Sequence, residues 1–456
     1  MFNNSRKSSA GHHSSRSDFS RKPTTARDWT GNSAGARRAK LAAREISSTL
    51  FDQTGELKLG RKHRPDYLMV ILVIALALTG LVVVFSILPA LTLGSDSSAA
   101  AYMWKQGGLL AIAIVGFFVA GQIPLDFWRK WGSRIFVLAL FLCLILPLMG
   151  MVHLGLANCS LGACRWFNLG FASFQPAELL KLGLVLFISS FLAIRAAAGE
   201  INSARKTLLP LGVAVLAVLF IIVILQKDLG TGLALTAIVL TQMIVAGIKW
   251  RNFAIALGAL GGLGVASIIV APHRIARIAT FFGTGTAAQD YHINQALIAL
   301  GSGGLGGRGL GQSVQAYGWL PEAVSDSIFA VFGEMFGFIG VMILIAAFAA
   351  LLKRILDKID YTENLYLRLI VAGVFGWVAA HVLLNIGAMT HIIPLTGITL
   401  PLVSLGGTSM LFIMIALGIV FAISRYTQHR KLGHEEILSS RPPRFSRNIS
   451  RNERGR

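Results

Sequence analysis

The sequence predicts an all-α protein that crosses a membrane about ten times. Three observations lead to this prediction: 54% of the residues are hydrophobic, only 14% are charged, and runs of roughly 20 apolar residues recur along most of the chain. Each run is long enough to cross a hydrocarbon core about 30 Å thick as a helix. The composition excludes a soluble enzyme, and runs without period-two alternation disfavour a membrane β-barrel.

Ten spans are predicted, and the predicted inside connections carry twice as many Lys and Arg as the outside ones, as the positive-inside rule requires. The spans are 67–90, 107–125, 135–154, 178–194, 207–225, 230–248, 253–271, 327–352, 369–389 and 404–424. Together they make up a membrane domain over residues 66–424.

Two polar tails flank this membrane domain. Residues 1–65 and 425–456 are rich in Ser, Gly and Arg and hold most of the net charge of +21. Neither tail shows a hydrophobic period, so we expect both to be disordered and both to lie in the cytoplasm. The charge is accompanied by no helical or aromatic-interleaved basic motif, so we expect no nucleic-acid partner.

Two predicted external loops, 155–177 and 272–326, are too long and too polar to be plain connectors. The first is amphipathic enough to re-enter the membrane surface, and the second is the longest loop in the chain. Cys159 and Cys164 share the first loop, where either a disulfide or two inert thiols fits the pattern. We therefore expect the chemistry to face outward.

Ionisable residues inside spans are candidates for a functional site, because such a group costs several kcal/mol unless it is paired or hydrated. Glu178 and Lys181 are spaced i, i+3 on one face of the fourth span and are expected to form an ion pair. Lys181 either only neutralises Glu178 or also faces a cavity that attracts an anionic head group. Glu334 and His381 are the other intramembrane candidates, and helix packing is the simpler explanation of His381.

The second external loop supplies cations. Arg274 and Arg277 are spaced i, i+3, which suits planar recognition of a pyrophosphate, and interfacial snorkelling explains them equally well. The Gly-rich segment 301–313 is expected to fold its amides around an anion, with Arg308 as a further donor.

An acid lies at the end of the same loop. Ser325 and Asp326 come directly before the eighth span, so either residue is expected to cap its helix. At the mouth of an outward cavity, desolvation would raise the pKa of Asp326 towards the useful range of a general base.

Several segments together resemble one family, the SEDS proteins of bacterial shape, elongation, division and sporulation. The match covers residues 66–424 and keeps the family's order and spacing. The segments are GACRWFNLGFASFQPAELLKL, LQKDLGTGLAL, YHINQALIALGSGGLGGRGLGQS, YGWLPEAVSDSIFAVFGEMFGFIG and IIPLTGITLPLVSLGGTSM. The resemblance implies a SEDS-type fold of ten helices. It also implies an enzyme that polymerises lipid II into peptidoglycan at the outer face of the cytoplasmic membrane. It also implies a class B penicillin-binding protein and other divisome proteins as partners.

The resemblance assigns roles to residues. The family's proposed catalytic aspartate, in its LPEAHTDFIFA motif, falls on Asp326, while Val324 stands for the usual His and Ser327 for the usual Phe. It implies a single inverting displacement with Asp326 as general base. Lys105 and Gln106 match another position of the family, at the external end of the second span. The full set of candidate substrate contacts is Lys181, Glu178, Arg274, Arg277, Arg308, Lys105, Gln106 and Glu334.

Three points stay open at this stage. No carboxylate cluster for a metal is visible, so no cofactor is predicted, although a divalent cation such as Mg²⁺ would assist departure of the pyrophosphate. The long basic N-terminal tail and the first span favour the division branch of the family over the elongation branch. A lipid II flippase and a non-catalytic scaffold are the alternatives from other functional classes.

Overall fold

A computed structural model describes residues 57, 59, 62–89, 99–151, 157–160, 163–168, 173–269, 271–284, 287–404 and 406–427. These residues all belong to the compact unit Ile46–Arg456. Most residues of the two predicted tails are not among the described residues. Within the N-terminal tail, Leu57 is buried, and its N–H donates to Asp126 Oδ1 at 3.1 Å. The disorder of the tails stays a prediction.

Helices dominate the described residues. They are α1 (Tyr67–Ser86), α2 (Ala99–Gln122), α3 (Leu125–Met151), α4 (Pro176–Ala197), α5 (Leu209–Leu219), α6 (Leu229–Val245), α7 (Trp250–Ile269), α8 (Pro272–Phe281), α9 (Ala287–Ser302), α10 (Ile328–Tyr361), α11 (Leu365–Met389) and α12 (Gly407–Ile423). Two π-helical turns, Ala204–Leu208 and Phe220–Leu225, extend α5 at its two ends.

The predicted membrane architecture is confirmed. Within the described ranges, nine helical segments are long and apolar enough to cross a membrane, and α6 is an apolar helix of 17 residues at the remaining predicted span. Helix ends differ from the prediction, because α3 begins at Leu125 and makes the predicted loop 126–134 helical. Polar residues such as Lys130 extend this helix beyond its apolar run.

Burial separates the central helices from the peripheral ones. In α4 and in the segment that contains α12, 72% of the apolar span is buried, whereas in α7 only 11% is buried. α4 packs against α3, α6 and α11, and α12 packs against α2. A helix that is apolar all round and buried forms the core of a bundle, and α7 by contrast turns most of its surface towards lipid.

The described residues of the first predicted external loop form a small antiparallel sheet. Its strands are β1 (Ala157–Ser160), β2 (Ala163–Asn168) and β3 (Ser173–Phe174), in the order β1-β2-β3. Cys159 and Cys164 lie opposite each other in the β1–β2 pair and form a disulfide. The disulfide alternative is therefore the correct one, and the sheet is an addition to the predicted all-α fold.

The second external loop contains α8, α9 and the Gly-rich segment, which interlocks with a break in α10. Gly337 has a φ of 64° and interrupts that helix. The amides of Phe338 and Ile339 donate instead to the carbonyls of Gly304 and Leu305, at 2.8 and 3.1 Å. A Cβ at Gly337 would lie 2.3 Å from the Gly307 nitrogen, so only glycine fits where the two backbones meet.

We expect Gly80→Ala to lower the thermal unfolding midpoint. A Cβ at this position of α1 would lie 2.2 Å from the carbonyl oxygen of Val403, and overpacking against backbone costs about 1–3 kcal/mol. The control is Gly212→Ala in α5, where nothing lies within 4 Å of the added Cβ and the better helix propensity of Ala favours folding. Thermal unfolding of the purified protein in detergent is the measurement. Equal midpoints for the two variants would contradict the close packing of α1.

Candidate active site

Asp326 lies in a turn immediately before α10. The amides of Ser325 and Ser327 donate to the Glu322 carbonyl, each at 3.1 Å, and close the turn. The Asn385 side chain of α11 donates to the Asp326 carbonyl at 2.7 Å. Ser327 is the N-cap residue of α10 and makes no side-chain capping bond. The prediction that Ser325 or Asp326 caps this helix is therefore wrong. The Asp326 carboxylate does not serve as the cap of α10.

The environment of this carboxylate favours a proton acceptor. Oδ1 of Asp326 is buried and has no hydrogen-bond partner among the groups that the structure describes. Desolvation is the larger cause and the Glu322 carboxylate the smaller, and together they raise the pKa of Asp326 to about 7. An acid that is half ionised near neutral pH is well matched to general base catalysis.

A histidine that sequence analysis did not single out lies beside Asp326. His292 of α9 places Nε2 2.7 Å from the Ser327 hydroxyl oxygen, and this hydroxyl donates to the Pro321 carbonyl at 2.8 Å. Because the hydroxyl proton is used there, His292 Nε2 carries a proton and donates. Burial lowers the pKa of His292. An imidazole from α9 therefore contacts the residue that follows Asp326 in the chain.

Arg277 is the arginine whose charge acts on this acid, and Arg165 of another element acts in turn on Arg277. Arg277 of α8 is exposed and donates from Nη1 to the Leu395 carbonyl at 3.2 Å, and its charge interacts with those of Asp326, Asp228 and Arg165. Arg165, on β2, donates to the carbonyls of the 226–228 turn at 3.1 and 2.8 Å. Sequence analysis does not single out Arg165, because nothing local connects it to residues far along the chain.

Arg274 does not accompany Arg277 towards an external ligand. It is 5% exposed, and its guanidinium donates to the Ser267 carbonyl at 2.8 Å and the Val223 carbonyl at 2.5 Å. These bonds tie α8 to α7 and to the second π-helical turn. Arg274 therefore has a structural role in the fold, and its role as a pyrophosphate contact stays a prediction.

The predicted ion pair in α4 is present. Lys181 Nζ lies 2.8 Å from Glu178 Oε1 and 3.1 Å from His381 Nε2. Lys181 is 1% exposed, so it does not open onto a cavity as one of the two sequence interpretations requires. Trp377 Nε1 also donates to His381 Nε2, at 3.2 Å. His381 therefore carries its proton on Nδ1, which donates to the Thr399 carbonyl at 3.3 Å.

The residues at the end of the Gly-rich segment surround an anion, and this anion is the Glu334 carboxylate of the same chain. The Ser313 hydroxyl donates to one oxygen of Glu334 at 2.6 Å, and the amides of Val314 and Gln315 donate to its two oxygens at 3.0 and 3.2 Å. Glu334 is fully buried. Glu334 therefore anchors the loop, and its role in substrate binding stays a prediction. Arg308 is exposed, with Nε 3.7 Å from Glu334 Oε1.

The remaining predicted contacts lie on α2. Lys105 is exposed, and Gln106 hydrogen-bonds the hydroxyl of Tyr102 one turn earlier. No contact between described residues joins either one to Asp326. No cluster of three or more His, Cys, Asp or Glu side chains suited to a metal occurs in the described ranges. The structure therefore assigns no residues to a divalent cation.

Comparison with known proteins adds a family to this geometry. A family model described as a cell cycle protein, which covers FtsW, RodA and SpoVE, matches residues 66–429. Stage V sporulation protein E of Bacillus subtilis is 32% identical over 375 residues, which cover 81% of this chain and 99% of the relative. A protein of Escherichia coli O157:H7 named probable peptidoglycan glycosyltransferase FtsW is 33% identical over 341 residues, 72% of this chain and 78% of the relative.

Two solved structures share the fold. A chain from a peptidoglycan synthase complex that coordinates polymerisation and crosslinking superposes with a TM-score of 0.63 at 25% identity, covering 79% of this chain and 98% of the other. The rod shape determining protein RodA of Thermus thermophilus superposes with a TM-score of 0.56 at 26% identity, covering 80% and 98%.

We expect Glu178→Gln to destabilise the protein by about 3–5 kcal/mol, because it leaves the Lys181 charge buried without its counterion. The double variant Glu178→Leu, Lys181→Met removes both charges and is expected to recover most of the loss. The measurement is the thermal midpoint of each purified variant, with Glu178→Leu alone and Lys181→Met alone completing the cycle. A double variant less stable than Glu178→Gln would show that the pair does not act as a buried unit.

Proposed function

The chain belongs to the FtsW/RodA/SpoVE family of cell cycle proteins, and we propose that it is a peptidoglycan glycosyltransferase that polymerises lipid II. The single observation that carries the proposal is the Asp326 carboxylate, which is desolvated, unpaired at Oδ1 and close to Arg277. Relatives that carry this enzyme name match about 70% or more of the chain.

Glycan polymerisation needs two things from the protein, and this site offers both. A base must remove the proton of the acceptor sugar hydroxyl as its oxygen attacks the anomeric carbon, and Asp326 Oδ1 takes that proton. The bond from the anomeric carbon to the pyrophosphate oxygen breaks in the same step. Positive charge must stabilise the departing pyrophosphate. Arg277, an exposed cation whose charge interacts with that of Asp326, is the first candidate, with Arg165 and Arg308 as further candidates.

The site is proposed to face the outer side of the bacterial cytoplasmic membrane, with both termini in the cytoplasm. The distribution of Lys and Arg in the connections supports this orientation. The disulfide supports it independently, because the hairpin that carries Cys159 and Cys164 also carries Arg165, at the Asp326 end of the bundle, and disulfides persist outside the reducing cytoplasm.

The proposed partner is a class B penicillin-binding protein, the transpeptidase that cross-links the new strands. Similarity to a chain from a peptidoglycan synthase complex supports it. The proposed process is septal wall synthesis with other divisome proteins, and elongation by the same chemistry is the alternative.

We expect Asp326→Asn to reduce lipid II polymerisation by at least about 100-fold, since it removes the base but keeps the side-chain shape. The protein, alone and with its transpeptidase, is incubated with labelled lipid II in liposomes, and glycan strands are resolved on a gel. In the wild type, kcat/KM is expected to rise with pH through about 7, because only ionised Asp326 accepts a proton.

Glu322→Gln is the matched variant for this pH profile. Its carboxylate raises the pKa of Asp326, so its removal is expected to move the midpoint to lower pH while activity persists above it. An unmoved midpoint would mean that another group titrates. Absence of polymer from the wild type, with its partner bound, would favour the flippase or the scaffold.

We expect Arg277→Gln to lower kcat by about tenfold or more, because stabilisation of the leaving pyrophosphate is lost in the transition state. Lys227→Gln serves as the control, since Lys227 is an exposed cation in the neighbouring 226–228 turn with no assigned role. The same gel assay at saturating lipid II separates kcat from KM. Equal loss in the two variants would indicate a general effect of surface charge and remove Arg277 from the mechanism.

A further inference from the structure

We propose that a groove between α5, α6 and α7 binds one acyl chain of an anionic phospholipid, whose phosphate contacts Arg205, Lys249 and Arg251. These three residues are called the basic rim below. The groove has a volume of about 210 Å³. Its lining is almost wholly apolar and includes Leu211, Gly212, Val215, Val239, Met243 and Ala256. The proposed transferase chemistry makes no use of it.

The groove lies in the half of the bundle away from Asp326. Along the span that contains α5, the lining of the groove begins at Leu208 and ends at Leu216. The far end of this span reaches Gln226, and the Gln226 carbonyl accepts a hydrogen bond from Arg165 at the active-site end. Eight residues of helix rise about 12 Å, which is close to half of a hydrocarbon core about 30 Å thick. The groove therefore has the depth of one leaflet.

Small residues keep the groove open. Nothing lies within 4 Å of the position that a Cβ on Gly212 would take, and Ala256 and Ala259 form part of the facing wall on α7. α7 is also the least buried of the spanning helices that the structure describes. An apolar groove that opens towards the bilayer is filled at least cost by a hydrocarbon chain.

The basic rim sits at the open end of this groove because two loops are joined there. Asn202 Oδ1 accepts from the Lys249 amide at 2.7 Å and from the Asn252 side chain at 3.4 Å. Asn252 itself lines the groove. The first π-helical turn carries Arg205 on the same loop as Asn202, and its last residue, Leu208, lines the groove as well.

The charge of the basic rim is not balanced within the part of the chain that the structure describes. At this end, Glu200 pairs with Arg195 and Lys206, whereas no described carboxylate lies within ion-pair distance of the three rim side chains. Trp250, between two rim residues, is 74% exposed, as is typical of a side chain at the head-group level. A negatively charged head group complements this surface better than a zwitterionic one.

The substrate does not fit this position. A polyprenyl pyrophosphate that reacts at Asp326 must hold its pyrophosphate near Arg277, at the opposite end of the bundle. Its charged group cannot lie at the basic rim at the same time. A two-chain phospholipid of the leaflet on the rim side satisfies both the depth of the groove and the sign of its charge.

The test is native mass spectrometry of the full-length protein, released from micelles that contain equal amounts of phosphatidylglycerol and phosphatidylcholine with identical chains. We expect the wild type to retain phosphatidylglycerol over phosphatidylcholine by about tenfold. The triple variant Arg205→Gln, Lys249→Gln, Arg251→Gln is expected to bring this ratio close to one. Its charge-matched control, Lys130→Gln, Arg134→Gln, Lys353→Gln, keeps the wild-type ratio because these exposed cations lie away from the groove.

A second pair of variants tests the groove itself. Gly212→Phe fills it and is expected to reduce total bound phospholipid several-fold, whereas Gly258→Phe, on α7 but outside the groove lining and equally free of steric overlap, leaves it unchanged. Gly212→Leu replaces the larger variant if that one does not fold. The proposal is overturned by a wild-type ratio near one, by an equal effect of the two charge variants, by unchanged retention in the filled groove, or by a bound mass that matches a polyprenyl lipid.

Discussion

The placement of Asp326 depends on a few hydrogen bonds to residues 398–404, a mostly buried part of the loop between α11 and α12. Asn385 donates at once to the Asp326 carbonyl and to the Ile398 carbonyl, both at 2.7 Å. His381 holds Thr399 of the same loop. In hydrocarbon, none of these groups has water as an alternative partner, so each bond that is lost leaves an uncompensated polar atom. Buried side chains of the core thereby hold the turn that carries Asp326 in place.

The same low polarity shapes the chemistry. Lys181 Nζ lies within hydrogen-bond distance of Glu178 and His381, whereas Asp326 Oδ1 has no described partner. A paired ionisable group lies in the core, and an acid whose pKa is raised by burial lies near the surface. The difference between the two sites lies in the neighbouring groups and not in the type of residue.

Local rules explain what the sequence could and could not predict. Apolar run length located the spans, and i, i+3 spacing found the Glu178–Lys181 pair, because both signals lie within one helix. Neighbours from distant elements were missed: His292 meets Ser327 across 35 residues, and Arg165 meets Gln226 across 61. The structural bonds of Arg274 were missed as well, because its sequence neighbours do not show that it donates to the Ser267 and Val223 carbonyls.

The break at Gly337 has a consequence for how motifs in such proteins are interpreted. Here the backbone of the Gly-rich loop packs directly against the backbone of α10. A Cβ at Gly307 would lie 2.1 Å from the Met335 carbonyl oxygen, and a Cβ at Gly337 would lie 2.3 Å from the Gly307 nitrogen. Selection that preserves this interlock keeps both glycines whatever reaction the protein performs. A diverged relative that had lost its enzymatic acid would still carry the glycine signature, so that signature reports common descent and folding, and the acid alone reports activity.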